Sequence, residues 1–278
     1  MGVHSRLADA VLVVAHPDDE ILWFSSLVRR VSKVVICYLA TPGDEACTDA
    51  RRAVEAVFPL ENAVFLGLTE SMGFLAADWR YPQASPSGLV LGGTGERPVL
   101  PAFNPDLYRQ NAITLHERLR DLLQEAPVVI THNPWGEYGH EEHVQVHRVV
   151  TALGEECGFE VWFDNYASDR SAALMARTLA GRKLLYESAP TSPESVADIE
   201  ALYRRLGCWT WPFDDYRWFE NECMARFAPG EGAGSVPGAT FPVNFINVDN
   251  AVWQRPRLPP PSLLLRCARR VRRLVLGD

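Results

Sequence analysis

Short, fully apolar runs alternate along this chain with segments of helical period. Val11–Val14, Lys33–Ala40, Ala63–Leu68, Val128–His132 and Glu160–Asn165 read as strands. The first is apolar at every position, the mark of a strand covered on both faces. Between them, Ile21–Val31, Glu45–Phe58, Leu107–Glu125 and His140–Leu153 read as helices. In the third of these, Ile113, Leu115, Leu119, Leu122 and Leu123 form an amphipathic stripe. Such alternation implies a parallel sheet with helices on both faces. At 278 residues and 47% apolar content the chain can bury a large core, which excludes global disorder.

The expected fold is α/β, a Rossmann-like open and mostly parallel sheet, with a long lid-like loop and a C-terminal extension. The loop is 79–105, where Pro82, Pro86, Pro98, Pro101 and Pro105 stand among several glycines. A stretch of that length without periodicity is a lid or a structured surface excursion, and both readings stay open. Residues 229–238 read as a flexible connector. Neither stretch divides the chain, so 1–250 is expected to be one domain and 251–278 a basic, Pro/Arg-rich tail.

The formal charge of −8 argues against a nucleic-acid partner. Seven arginines and one aspartate give residues 255–278 a net +6, leaving −14 on the remainder. Within the tail, 259–276 has an apolar stripe opposite its arginines. It suits an anionic membrane surface or, slightly better, the acidic body of the same chain. The six cysteines form no C-x-x-C pair, which fits free thiols in a reducing compartment. The N-terminal apolar run is too short for a signal peptide and no run reaches membrane-spanning length. A cytoplasmic location is expected.

Open α/β sheets bind ligands at the carboxyl ends of their strands. Two polar clusters fall there. His16-Pro17-Asp18-Asp19-Glu20 follows strand one, and Tyr138-Gly139-His140-Glu141-Glu142-His143 follows strand four. Two adjacent carboxylates repel each other, and a divalent cation removes that cost. His16, one Asp of the pair and one His of the second cluster make a three-ligand site with an open position, a usual catalytic zinc arrangement. The spare carboxylate is then free to act as a general base on water. Spacing does not say which Asp is which, nor whether His140 and His143 both face the ion. A lone Asp pair is often a helix cap and a lone His often a surface residue. Five of the seven histidines on two strand-end segments tip the balance to a metal. His132 falls at the end of strand four. His147 lies one turn beyond His143, where a supporting or an exposed position suits it equally. His4 and His116 read as structural or surface residues.

Ala15-His16-Pro17-Asp18-Asp19-Glu20 with Tyr138-Gly139-His140-x-x-His143 downstream resembles the PIG-L/LmbE-like family of zinc-dependent N-acetylglucosamine deacetylases. Gly43-Asp44 after strand two and Arg52 with Glu55 in the next helix fit the same pattern. The resemblance covers roughly 8–165. It implies His16, Asp19 and His143 as metal ligands and Asp18 as general base. It further implies His140 as the residue that protonates or stabilises the leaving group, and Tyr138 as an aid to the oxyanion. The implied cofactor is one Zn²⁺ per chain, with Fe²⁺ as the alternative, and the implied partner a small-molecule glycoside bearing an acylated aminosugar. Two departures stand out. Glu141-Glu142 replaces the Pro-Asp common between the histidines, and Leu68–Phe74 replaces an Asp-containing segment that carries sugar contacts in relatives. Maturation of a glycopeptide antibiotic is the expected setting. A thiol-cofactor or lipid-linked glucosaminide is the alternative.

Two rival readings fit the sequence less well. A nucleotide-binding dehydrogenase needs G-x-G-x-x-G after strand one, where His-Pro-Asp-Asp-Glu stands instead. A non-catalytic carbohydrate-binding relative is disfavoured by the intact Asp18. The aromatic run Cys208–Glu220 fits a sugar platform or, more often, a core seam.

Overall fold

The computed structural model describes residues 7, 9–91, 103–211, 216–228 and 241–247. Five parallel strands form one side of a seven-stranded sheet. They are β1 (Val11–Val14), β2 (Lys33–Ala40), β3 (Ala63–Thr69), β6 (Val128–Thr131) and β7 (Glu160–Phe163). Two short strands, β4 (Ala84–Ser85) and β5 (Gly88–Leu89), make a separate hairpin between β3 and β6. A further pair, β9 (Leu184–Pro190) and β10 (Asn221–Phe227), joins the main sheet antiparallel, giving the order β3-β2-β1-β6-β7-β10-β9. A last strand, β11 (Asn244–Ile246), pairs in parallel with β8 (Tyr166–Ser168). The α/β, mostly parallel sheet expected from the strand–helix alternation is therefore present.

The helices are α1 (Asp19–Leu22), α2 (Glu45–Glu55), α3 (Pro105–Leu123), α4 (Glu141–Cys157), α5 (Ala172–Leu179) and α6 (Pro193–Leu206). Strand side chains alternate between faces. Val11, Val13, Val35 and Val129 therefore share one face, where they pack with Leu115, Leu119 and Leu123 of α3 and Val146, Val150 and Leu153 of α4. Leu12, Val14, Val34 and Ile36 point the other way and are equally buried. On α6 the buried positions Val196, Ile199, Leu202 and Tyr203 repeat at three and four residues, and this helix packs against α1 and α2.

The sequence reading over-extends one helix. Ile21–Val31 has helical apolar spacing, yet the helix ends at Leu22 and the chain continues in turns. The buried carboxylate of Glu222 on β10 accepts the Ser26 N–H at 2.6 Å and the Ser25 hydroxyl at 3.4 Å. That diverts a backbone donor a continuing helix would need. The apolar residues Trp23, Phe24, Leu27 and Val28 are buried all the same, because turns against a core need them as much as a helix does.

β1 lies between β2 and β6, in register Val11↔Lys33 and Val11↔Val129. Successive crossovers leave from opposite sides of β1, so its carboxyl end and that of β6 open onto a common crevice. The loop from β6 into α4 turns back sharply at Gly136, whose φ is +68°. A Cβ built there would lie 2.5 Å from the His140 carbonyl oxygen. Gly136→Ala is expected to cost about 1–3 kcal/mol through the left-handed backbone alone. Urea unfolding checks this, and an unchanged midpoint would contradict it.

Of the segment 79–105, residues 79–91 are docked on the body. Trp79 and Leu89 are buried, the Leu89 N–H donates to the Tyr108 hydroxyl at 3.2 Å, and the Ser87 carbonyl accepts from Gln145 at 2.6 Å. The hairpin β4–β5 is thus tied to α3 and α4. Residues 92–102, the connector 229–238 and the tail 251–278 lie outside the described residues.

Candidate metal centre

Strand β1 delivers the first cluster through a tight turn. The His16 N–H donates to Asp19 Oδ2 at 2.7 Å, and the Ile21 and Leu22 N–H groups close on the Asp18 carbonyl at 3.1 and 3.0 Å. Asp18 takes a left-handed backbone, φ 97°, rare for a side chain with a Cβ and typical of strained functional turns. The Asp18 N–H donates to Glu20 Oε2 at 3.1 Å, and Glu20 Oε1 accepts from the Tyr203 hydroxyl at 2.7 Å. Asp19 Oδ1 accepts from Trp23 Nε1 at 2.9 Å. Both oxygens of Asp19 are thereby fixed.

The second cluster is brought to the first by the β6–α4 turn. His16 Nδ1, His143 Nε2 and Asp19 Oδ2 form a triangle whose three sides are each 3.3 Å. Three ligands at the usual zinc distances of about 2.0–2.1 Å and tetrahedral angles stand roughly 3.3–3.4 Å apart. The triangle therefore has the dimensions of three corners of a zinc site. The expected ligand set His16, Asp19 and His143 is brought together across more than a hundred residues of sequence.

Hydrogen bonds on the far side of each ring support the same fit. His143 Nδ1 meets Glu137 Oε2 at 2.5 Å, and His16 Nε2 meets Glu142 Oε2 at 3.1 Å. A carboxylate on the outer nitrogen puts the proton there and leaves the inner lone pair for a cation. His132 lies behind, its ring stacked on that of His143 at 3.9 Å. Its Nε2 accepts the Ala15 N–H at 2.8 Å, so its proton sits on Nδ1, 3.2 Å from Glu137 Oε1. Glu137 also accepts the Asn133 N–H at 2.9 Å. One carboxylate thus serves two imidazoles and a backbone amide. His16, His140 and His143 form one overlapping group of ligand-capable atoms, and Asp19, His132 and His143 another.

The charges follow from these contacts. Burial pulls the His16 pKa down, but hydrogen bonds to Asp19 and Glu142 and the charge of Glu70 outweigh it, raising it to about 10. His143 goes to about 9 in the same way: burial opposes, and Asp19 and Glu137 prevail. For Asp19, burial pushes upward and the imidazoles of His143 and His132 hold it well below the usual carboxylate range. Asp18 faces no imidazole. Burial and the charge of Asp19 push it up to about 7, partly offset by Thr210 and Arg51.

His140 caps α4, its Nδ1 accepting the Glu142 N–H at 3.2 Å. Burial and then the charges of His143 and His16 lower its pKa, so the ring is neutral with its proton on Nε2. It is stacked between Phe74, at 4.8 Å, and His143, at 4.5 Å. Tyr138 stands edge-on to His143 at 5.5 Å. Burial and the nearby Asp19 and Asp18 push its pKa up, so its hydroxyl keeps its proton. The catalytic candidates Asp18, His140 and Tyr138 therefore all border the triangle.

The two glutamates that depart from the family pattern tie a loop to the site. Glu142 Oε1 accepts the Ser71 N–H at 2.7 Å and its hydroxyl at 2.8 Å. Glu141 accepts from Leu75 N–H, Ala77 N–H, Trp79 Nε1 and Arg170 Nη2. The segment they hold contains two side chains in left-handed backbone, Met72 and Leu75. Arg52 and Glu55 on α2 are both exposed, and the buried arginine of that helix is Arg51, paired with Glu70 and donating to Thr41 Oγ1 at 3.0 Å. His147 is buried, its Nδ1 donating to the His132 carbonyl at 2.7 Å. His116 is a surface residue paired with Glu156, and His4 lies outside the described residues.

In the run 208–220, the described aromatics act as a seam. Trp211 packs on Trp23, Tyr138 and Tyr216. The Tyr216 hydroxyl and Trp218 Nε1 donate to the Leu22 and Ile21 carbonyls at 2.7 and 3.0 Å. Asp214 and Asp215 lie outside the described residues. Two residues that the sequence did not single out emerge here: Glu137, and Thr210, which donates to Asp18.

An open parallel sheet with a His₂–Asp triangle at its switch point defines the class. Residues 11–153, just over half the chain, match the family model PIG-L, described as GlcNAc-PI de-N-acetylase, and the chain belongs to this family. It is 32% identical over 167 residues to a 1D-myo-inositol 2-acetamido-2-deoxy-alpha-D-glucopyranoside deacetylase of Mycobacterium sp. (strain KMS), covering 56% of this chain and 54% of the relative. An enzyme of the same name from Saccharopolyspora erythraea is 29% identical over 163 residues, covering 51% and 52%. The chain thus spans about half the length of the curated relatives it matches. Among solved structures, it is similar to the zinc-inhibited form of a teicoplanin deacetylase, with a TM-score of 0.47 and 12% identity over 80% of this chain and 100% of the other. An antimicrobial pseudoaglycone deacetylase gives 0.44 and 12%, over 80% and 98%.

Glu137→Gln is expected to weaken zinc affinity about 10–100-fold while the fold is kept. Competition with a chromophoric chelator measures it, and parental affinity would contradict the role given to this carboxylate.

Proposed function

We propose that the chain is a zinc-dependent N-deacetylase that hydrolyses the N-acetyl amide of an N-acetylglucosamine-type glycoside. The observation that carries this reading is the 3.3 Å triangle of His16, Asp19 and His143 with Asp18 beside it, in a chain of this family. A divalent cation bound there supplies Lewis acidity to an acyl oxygen and lowers the pKa of a water. Fe²⁺ suits the same N₂O set.

The chain's own residues supply the rest. Asp18 takes a proton from the attacking water at Oδ1, the oxygen that Thr210 leaves open. Its pKa near 7 before a cation binds is in the range a general base needs. Tyr138 donates its hydroxyl to the acyl oxygen as that oxygen gains charge. His140 presents Nε2–H to the nitrogen that leaves. As the C–N bond breaks, Asp18 passes the proton it took to that nitrogen, and the products are an acid and a free amine.

The names of the curated relatives favour a small glucosaminide such as the inositol conjugate. A glycopeptide bearing an acylated aminosugar is the second reading. It is favoured by Tyr81 and Val90, which stand 72% and 49% exposed on the docked segment. Among the described residues no helix is long and apolar enough to cross a membrane, and the membrane contact considered for 259–276 falls outside them.

Asp18→Asn is expected to keep one equivalent of zinc while acetate release falls about 10²–10⁴-fold, whereas Asp19→Asn loses the metal. Metal analysis beside an acetate assay checks both, and equal metal loss in the two variants would refute the division of labour. Mass spectrometry of a panel should show loss of the acyl group from the inositol glucosaminide faster than from an acylated glucosaminyl glycopeptide. The reverse order selects the second reading, and no loss from any member rejects the deacetylase.

A further inference from the structure

Outside the family-matching stretch 11–153, described residues of the segment 203–222 bond to the first cluster and to the residues just after it. Tyr203 reaches Glu20, Tyr216 and Trp218 reach the carbonyls of Leu22 and Ile21, and Glu222 holds Ser26. One residue of this strap touches a reacting group. Thr210 donates both its N–H, at 2.9 Å, and its hydroxyl, at 2.7 Å, to the same oxygen of Asp18, Oδ2.

We propose that Thr210 is the positioning residue of the general base. The final torsion of an aspartate is broad and roughly two-fold, so packing alone sets it poorly. The left-handed backbone of Asp18 fixes where its Cβ points but not how the carboxylate is turned. Among the described residues, Thr210 makes the only hydrogen bonds to that carboxylate. Two donors on Oδ2 fill its acceptor positions and leave Oδ1 as the oxygen that can take a proton. Without the hydroxyl the N–H alone remains, and the carboxylate can swing. This inference rests on the reading of Asp18 as the base.

The test uses the zinc-loaded full chain. Thr210→Val removes the hydroxyl at nearly constant volume and keeps the N–H. It is expected to lower kcat about 10–100-fold with KM, zinc content and melting temperature close to the parent. Thr210→Ser is expected to restore kcat to within about threefold. In the Asp18→Asn background, Thr210→Val should cause no further loss, because there is no base left to position. A crystal structure of Thr210→Val should show the Asp18 carboxylate turned or in two orientations. A serine variant as slow as the valine one, or an undiminished loss in the Asp18→Asn background, would overturn the proposal. Full turnover in Asp18→Asn by itself would instead remove the assignment of the base.

Discussion

The bond between Glu137 and His143 bears on more of this site than any other contact. It sets the tautomer of a candidate ligand, and the other oxygen of Glu137 lies 3.2 Å from Nδ1 of His132, whose tautomer the Ala15 N–H sets. Around it, Asp18, Asp19, Glu20, Glu137 and Glu142 are all buried. An isolated buried carboxylate either finds a partner or takes up a proton. Four of them divide by what they face. Asp19 and Glu137 face imidazoles and are held ionised. Asp18 and Glu20 face hydroxyls and amides, and burial raises them to about 7 and 8. A divalent cation in the triangle would take the place of the extra protons that these acids favour on His16 and His143, so the same carboxylates that raise the two imidazoles would also favour a bound metal.

The scaffold distributes the task of holding the pocket. The sheet contributes the carboxyl ends of β1 and β6, which put His16 and the β6–α4 turn side by side. The loop after β3 is clamped by Glu141 and Glu142, residues of the second cluster itself, so the wall that meets His140 through Phe74 is tied to the helix that carries His143. From the other side, the strap 203–222 reaches the first cluster through the Tyr203 hydroxyl and through the hydroxyl and N–H of Thr210. The site is thus closed by one device inside the family-matching stretch and one beyond it.

Much of this was legible in the sequence, for identifiable reasons. Strands such as Val11–Val14 and Lys33–Ala40 announce themselves because burial on both faces demands unbroken apolar runs. His16, Asp18, Asp19, His140 and His143 are legible because metal and acid–base chemistry need those residue types at strand ends. Glu137 was hidden because a glutamate in a Gly-flanked turn looks like any solvated loop residue, and only the fold turns it inward. Thr210 was hidden because its partner is 192 residues away. Arg51 was hidden because one step along a helix turns a side chain by about 100°, and periodicity alone does not say which of two adjacent arginines turns inward. Ile21–Val31 was read as a helix because buried turns and buried helices ask for the same residues.

X-ray absorption of the zinc-loaded protein addresses the central claim most directly, since it reports the ligands without reference to turnover. The account predicts two nitrogen scatterers at about 2.0–2.1 Å with imidazole outer shells, and carboxylate or solvent oxygen at about 2.0–2.2 Å. The imidazole pattern should be reduced in His143→Ala. A spectrum with sulfur near 2.3 Å, or one unchanged in His143→Ala, would place the ion elsewhere and contradict the account.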